Sequence, residues 1–208
     1  MIDRLLANAA LYEFVQAVTG TRISEEKMRE MLDLHGPIQT GTRILDAGGG
    51  TGIIARVFDA GRDYCCMDLD LARLRVARGR GASVVRGDVT RMPVATASID
   101  VVVLRAISHH LTDEGFAMMV AESRRVIKST GRLLFLDAIW APRWLPGRLM
   151  WSIDQGSQPR TAKRMRVALE DYFELERQVA YSIYHRYFLA LARPKSETSP
   201  PSRMASGG

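Results

Sequence analysis

Residues 44–52 read Ile-Leu-Asp-Ala-Gly-Gly-Gly-Thr-Gly. A β-rich run ends on a carboxylate, Asp46, and turns at once through Gly48, Gly50 and Gly52. Glycines at a strand-to-helix turn let a ligand approach bare backbone and present N–H groups to it. Gly50-Thr51-Gly52-Ile53-Ile54-Ala55 satisfies G-x-G-x-x-G/A, and Asp68 follows 18 residues after Gly50, near the spacing of a ribose-binding acid. A dinucleotide would set its anionic pyrophosphate close to Asp46, which is unfavourable. A ligand carrying positive charge suits that carboxylate better. Further on, His109, His110 and Asp137 are residues of a kind that removes protons, since a carboxylate beside an imidazole fixes its tautomer and raises its basicity.

These residues need elements that bring them together. Apolar periodicity predicts helices over 2–18 and 24–34, broken at Gly36-Pro37. Strand-like and helix-like segments then alternate: strands over 43–46, 63–68, 83–86, 99–105 and 132–138, and helices over 51–59, 71–78 and from 113 onward. Thr112 is placed to cap the last of these, Phe116, Met119, Val120, Ser123 and Ile127 form its buried stripe, and Gly131 marks its end. The unbroken run Val101–Leu104 suits a central strand covered on both faces. Residues 139–170 read as irregular, then helical, and 173–183 and 186–192 as a closing strand pair. The expected fold is therefore α/β: a doubly wound, seven-stranded, mostly parallel sheet with one antiparallel edge strand. Ligands bind beyond the carboxyl ends of such strands, where Asp46, Asp68, Arg105 and Asp137 fall. The expected organisation is 1–35 as N-terminal helices covering the substrate, 36–193 as the main domain, and 194–208 as a disordered Pro/Ser/Gly-rich tail.

Composition narrows the class. The chain has 208 residues, 47% hydrophobic and 25% charged, about one soluble domain. It lacks an apolar run long enough to span a bilayer and a basic leader, so a cytoplasmic location is expected. Its two cysteines, Cys65 and Cys66, are adjacent, which suits neither a disulfide framework nor zinc spacing, and no metal is expected. The net charge is +6, with Arg73, Arg75, Arg78, Arg80, Arg86 and Arg91 close together. No nucleic-acid module accompanies them, so a solvated helix face is the simpler reading.

A ligand with an amino group, a sulfonium, a ribose and an adenine fits Asp46 and Asp68 together; S-adenosyl-L-methionine is such a molecule. The chain resembles the class I S-adenosylmethionine-dependent methyltransferases, in the small-molecule group that includes the ubiquinone and menaquinone C-methyltransferases. The resemblance covers about 40–138 and rests on the motifs at 44–52, 65–70 (Cys-Cys-Met-Asp-Leu-Asp), 86–89 (Arg-Gly-Asp-Val), 108–111 (Ser-His-His-Leu) and 125–133. It implies that Gly48, Gly50 and Gly52 lie along the methionine part and that Asp46 orients the amino group. It implies Asp68 at the ribose hydroxyls with Leu69 beside the adenine, and Asp88 at the adenine amino group with Val89 against the ring. Ser129-Thr130 departs from the usual turn before Gly131, and Arg105 stands where a small or polar residue is common; Arg105 suits an anionic substrate group, the cofactor carboxylate or a nearby aspartate. Some O-methyltransferases of this superfamily place a histidine and an aspartate where His110 and Asp137 stand, with His109 the second candidate.

The resemblance implies methyl transfer to an oxygen or carbon of a small, apolar or aromatic acceptor, leaving S-adenosyl-L-homocysteine. An RNA methyltransferase and a non-catalytic binding module are the alternatives. Trp140, Trp144 and Trp151 have three readings: a lid or pocket for the acceptor, an anchor for the segment, or a peripheral membrane contact. Tyr12 and Phe14 are placed to close the other side. Either a monomer or a homodimer is compatible with the sequence.

Overall fold

The computed structural model describes residues 21–33, 39–58, 63–153 and 158–196. The expected first helix, Tyr12, Phe14 and most of the tail lie outside the described residues. A helix α1 (Thr21–Asp33) precedes β1 (Arg43–Ala47). Next come β2 (Asp63–Asp68), α2 (Leu71–Gly79), β3 (Ser83–Arg86) and β4 (Ile99–Arg105). The second half holds α3 (Asp113–Val126), β5 (Ile127–Ile139), α4 (Leu145–Ile153), α5 (Ala162–Glu170), β6 (Phe173–Ser182) and β7 (Arg186–Pro194).

The seven strands form one sheet in the order β3-β2-β1-β4-β5-β7-β6. The pairs from β3 through β5 are parallel. β7 runs antiparallel between β5 and β6, so the expected antiparallel pairing lies at this end of the sheet, with β6 outermost. The chain steps outward from β1 to β3, then returns to add β4 on the other side of β1. That reversal opens a crevice between the carboxyl ends of β1 and β4, the usual ligand position in an open α/β sheet.

Alternation along each strand divides the core. Leu45, Val102, Leu104, Leu133 and Phe135 face Phe116, Met119 and Val120 of α3 and Met165 and Leu169 of α5. Ile44, Val101, Val103, Leu134 and Leu136 face Met28, Met31 and Leu32 of α1, with Ile54, Val57 and Phe58. Successive strand side chains point to opposite faces, so the unbroken run at 101–104 supplies both layers.

Two local expectations change. In place of a helix over 51–59 there is a 3-10 helix over Ile53–Val57 only. Gly52 is left-handed at φ 65° and Phe58 is already extended, so both ends are closed by backbone conformation. Gly131 does not end the preceding helix. α3 passes directly into β5, and Gly131 lies within that strand. A Cβ there would stand 2.7 Å from the Asp100 carbonyl oxygen, so glycine permits β5 to approach β4 where their register shifts. The Thr112 cap is present, its Oγ1 accepting from Gly115 N–H at 3.1 Å.

Phe135 is buried in the middle of the sheet, with ring centroids 6.0 Å from Phe116 and 6.2 Å from Phe188. Phe135→Ala is expected to cost about 3–5 kcal/mol through lost burial and the cavity left behind. Urea denaturation with an unchanged midpoint would contradict this packing.

Candidate active site

The crevice at the strand reversal is a cleft of about 280 Å³. Its floor is the turn Gly48–Thr51, with Ile53 and Ile54 beyond it. Asp46, Asp68 and Arg73 stand on one side, and Arg105, Ala106, Ile107 and His110 on the other. Gly48, Gly50 and Gly52 have φ of 77°, 56° and 65°, a region where a side chain strains the backbone. Gly49, which no spacing rule singles out, is the most confined. A Cβ there would fall 2.2 Å from Asp46 Oδ2 and 2.8 Å from Cys66 Sγ. Ala106 is also left-handed, at φ 51°, where β4 enters the cleft.

Asp46 is 1% exposed. Tyr64 Oη donates to its Oδ2 at 2.5 Å, while Oδ1 has no hydrogen-bond partner among the described residues. Burial pushes the Asp46 carboxyl up to about 6, against the Tyr64 hydrogen bond and the charge of Arg105, which pull it down. Burial and the Asp46 carboxylate push the Tyr64 phenol far up, so it remains a donor. Parallel pairing of β1 with β2 aligns Ile44 with Tyr64, which sets the tyrosine ring beside Asp46.

Asp68 ties the glycine turn to β2. Its Oδ2 accepts from Gly50 N–H at 2.9 Å and its Oδ1 from Asp70 N–H at 2.8 Å. Arg80 holds the same turn from the other side, donating to the Thr51 carbonyl at 2.9 Å and to Thr51 Oγ1 at 3.2 Å. Part of the arginine cluster is thus structural. Leu69 is exposed at the end of β2. The remaining residues expected around an adenine do not line the cleft: Asp88 Oδ1 closes a turn by accepting from Thr90 N–H and Oγ1, both at 2.8 Å, and Val89 is buried in the core against the sheet.

The histidine and aspartate pair differently from expectation. Asp137 meets His109, not His110: Oδ1 lies 2.6 Å from His109 Nδ1. Its Oδ2 accepts from Ser108 N–H at 2.7 Å and Ser108 Oγ at 2.6 Å, and Ala138 N–H reaches Oδ1 at 2.7 Å. Burial alone would raise the Asp137 carboxyl. The charge and hydrogen bond of His109, with the two bonds from Ser108, outweigh burial and hold it below its ordinary range. An ionised Asp137 accepts, so His109 donates to it from Nδ1. The reason is geometric. Residues 108–110 form one 3-10 turn, on which adjacent side chains diverge. His109 turns inward and is buried, and His110 is exposed along the cleft, their rings 4.2 Å apart.

Rings continue from there. Trp151 meets His109 edge-on at 5.7 Å and His185 at 4.9 Å, His185 lies 6.0 Å from Tyr187, and Tyr187 stacks on Tyr181 at 5.4 Å. Trp151 Nε1 is buried without a hydrogen-bond partner among the described residues. Of the three tryptophans, Trp151 faces the histidines, Trp144 anchors to the Tyr184 carbonyl at 2.8 Å, and Trp140 is exposed.

Arg160 carries this arrangement and leaves no local signal in the sequence, where residues 139–170 read as irregular, then helical. It is 2% exposed. Its guanidinium donates to the carbonyls of Ser108 and Leu111 at 2.7 and 2.8 Å and to Asp113 Oδ1 at 2.8 Å. It also lies 4.9 Å over the Phe116 ring. The turn bearing both histidines is held at its two ends by this one side chain.

Comparison with known proteins places the chain. Residues 45–135 match the family described as a methyltransferase domain. An uncharacterized methyltransferase of Oceanobacillus iheyensis is 28% identical over 138 residues, 64% of this chain and 64% of that protein. The ubiquinone/menaquinone biosynthesis C-methyltransferase of Pseudomonas paraeruginosa is 28% identical over 145 residues, covering 62% of this chain and 54% of that protein. The chain thus spans less than two thirds of the length of these curated relatives. A geranyl diphosphate C-methyltransferase from Streptomyces coelicolor, solved with Mg2+, geranyl diphosphate and S-adenosyl-L-homocysteine, superposes with a TM-score of 0.68. It is 15% identical, and the match covers 84% of this chain and 82% of that one; it establishes a shared fold.

Arg160→Met is expected to destabilise the protein by about 2–3 kcal/mol, because it strands buried carbonyl acceptors. The cost stays below that of breaking a fully buried ion pair because Asp113 is more than half exposed. Chemical denaturation, with histidine ring resonances read by NMR, checks this. Unchanged stability and unchanged His109 and His110 signals would show that the clamp does not hold the turn.

Proposed function

We propose that this chain is a class I S-adenosylmethionine-dependent methyltransferase that transfers a methyl group to an oxygen or carbon of a small apolar or aromatic molecule, a reading supported by the match of residues 45–135 to a methyltransferase-domain family. The observation that carries the reading is the buried, unpartnered Asp46 Oδ1 at the floor of the glycine cleft, with Arg105 close enough to lower the Asp46 pKa. An acid and a guanidinium side by side match the ammonium and carboxylate of an amino acid. A pyrophosphate would leave that carboxylate facing like charge.

The residues of the cleft fit S-adenosyl-L-methionine. Asp46 would take the amino group and Arg105 the carboxylate, with the backbone of Gly48, Gly50 and Gly52 along the methionine chain. Asp68, already fixed by Gly50 and Asp70, would accept from the ribose hydroxyls, with Leu69 beside the base. Asp88 would accept from the adenine amino group through Oδ2, since both of its bonds from Thr90 go to Oδ1, and Val89 would contribute from beneath. When bound, this cofactor supplies a methyl group activated on a sulfonium, so the protein's task is alignment and proton removal.

For the proton, His109 is the base. Asp137 accepts from its Nδ1 and would stabilise the imidazolium that forms when a hydroxyl or an acidic carbon gives up its proton. His110 lines the cleft beside this pair. Trp151 supplies an apolar face and an indole N–H for an acceptor oxygen. The ring row from His110 to Tyr181 supports an aromatic or apolar acceptor.

Two measurements test this. Asp46 titrates near 6 in the free protein, and a bound cation favours its charged form. Affinity for S-adenosyl-L-homocysteine, read by calorimetry, should therefore be full near pH 8 and fall as pH drops through about 6. Asp46→Asn should bind more weakly and lose that dependence. A flat wild-type profile between pH 5 and 8 would remove Asp46 from the ligand's ammonium. Secondly, His109→Gln and Asp137→Asn should each slow single-turnover methylation by roughly 10²–10⁴-fold, the usual contribution of a positioned base, while homocysteine-product affinity is retained. Equal transfer rates in a panel of phenolic and enolic acceptors would reduce the pair to a structural role.

A further inference from the structure

The helix α4 has two working faces. Inward, Trp151 meets His109 and His185. Outward, Leu145, Arg148, Leu149 and Ser152 follow i, i+3, i+4 and i+7 and are all exposed, the leucines to 70% and 63%. The surface continues past the helix. Trp140 is exposed at the end of β5, and Tyr184 is 42% exposed in the β6–β7 turn, which Trp144 fastens to the start of α4. Between them lies an open pocket of about 430 Å³ formed by Ala141, Pro142, Arg143, Trp144, Ser182 and Arg186.

Along the described residues of these segments, charge has one sign. Residues 138–153 and 177–196 contain no aspartate or glutamate, while Arg143, Arg148 and Arg186 are exposed among the apolar side chains. A soluble face normally mixes both signs. Apolar and aromatic side chains interleaved with arginine and free of acid are the chemistry of a surface that rests on anionic headgroups and dips its apolar groups below them. Arg143 and Arg186 both line the pocket, and their positive charge suits an anionic headgroup at its mouth.

We propose that the outer face of α4, with the β6–β7 turn, docks this protein on an anionic lipid bilayer. The same short helix then separates the membrane from the His109–Trp151 wall, so an apolar acceptor dissolved in the bilayer would enter beside it. That second statement rests on the methyltransferase reading above; the docking itself does not.

The test is co-sedimentation of the full chain with vesicles of phosphatidylglycerol and phosphatidylcholine, against vesicles of phosphatidylcholine alone. The protein should pellet with the anionic vesicles, and less so as salt rises. Arg143→Gln with Arg148→Gln should lower partitioning about thirtyfold, from the usual contribution of two basic residues at an anionic surface. Leu145→Gln with Leu149→Gln should lower it as well. Both variants change exposed side chains only, so their thermal stability and S-adenosyl-L-homocysteine affinity should match wild type. Retained homocysteine-product binding without pelleting overturns the docking and leaves the methyltransferase reading intact; pelleting without such binding does the reverse. Equal partitioning of the variants overturns the proposal. So does polyuridylate binding, or a concentration-dependent dimer, that the arginine or leucine substitutions abolish while the protein ignores vesicles.

Discussion

A carboxylate buried at the end of β1 sets the terms for the cleft around it. Asp46 is removed from water, and only one of its oxygens is satisfied, by Tyr64. The other is left to whatever fills the cleft. Keeping a half-satisfied carboxylate inside a folded domain costs stability, and several neighbours are arranged to make it tolerable. Tyr64 must be on the adjoining strand at the right register. Gly49 must lack a side chain, because its Cβ would sit on the carboxylate. Arg105 must end the next strand over. The glycine turn, the parallel pairing of β1 with β2, and the reversal that brings β4 beside β1 are all conditions of that single buried charge.

The second buried carboxylate is handled in the opposite way. Asp137 receives four hydrogen bonds and is held ionised, whereas Asp46 is pushed toward its neutral form. Two acids of the same sheet, both at strand carboxyl ends, are thus separated in their titration by the number of donors around them. One is poised to respond to a ligand's charge. The other is saturated and serves to orient an imidazole.

Much of the donor side was legible from residue order. The motif at 44–52, the acid at 68 and the period-two and continuous apolar runs follow local rules, and local rules suffice for strands and turns. The strands at 63–68, 83–86 and 99–105 fall where periodicity puts them. What escaped was set by contacts between distant segments. Asp137 could pair with either histidine as far as spacing tells, and the tight turn at 108–110 decided it by turning one ring inward. Gly49 looks like the least constrained of three consecutive glycines, yet it alone abuts Asp46. Val89 and Asp88 belong to a motif, but core packing and a side-chain turn claim them first. Arg160 sits in a run of basic residues, and nothing beside it announces burial.

The two halves of the cleft come from separate stretches of chain. The donor side is complete by Ile107, and the wall beyond His109 is built from α4 and the β6–β7 turn. Arg160 fastens the histidine turn through the carbonyls of Ser108 and Leu111 rather than through side chains of the wall. A carbonyl makes no demand on residue type. The segment from 139 to 153 can therefore change its side chains without disturbing the glycine turn or the clamp. Such an arrangement separates the inheritance of the cleft from the inheritance of the wall beside it, and lets one vary while the other is kept.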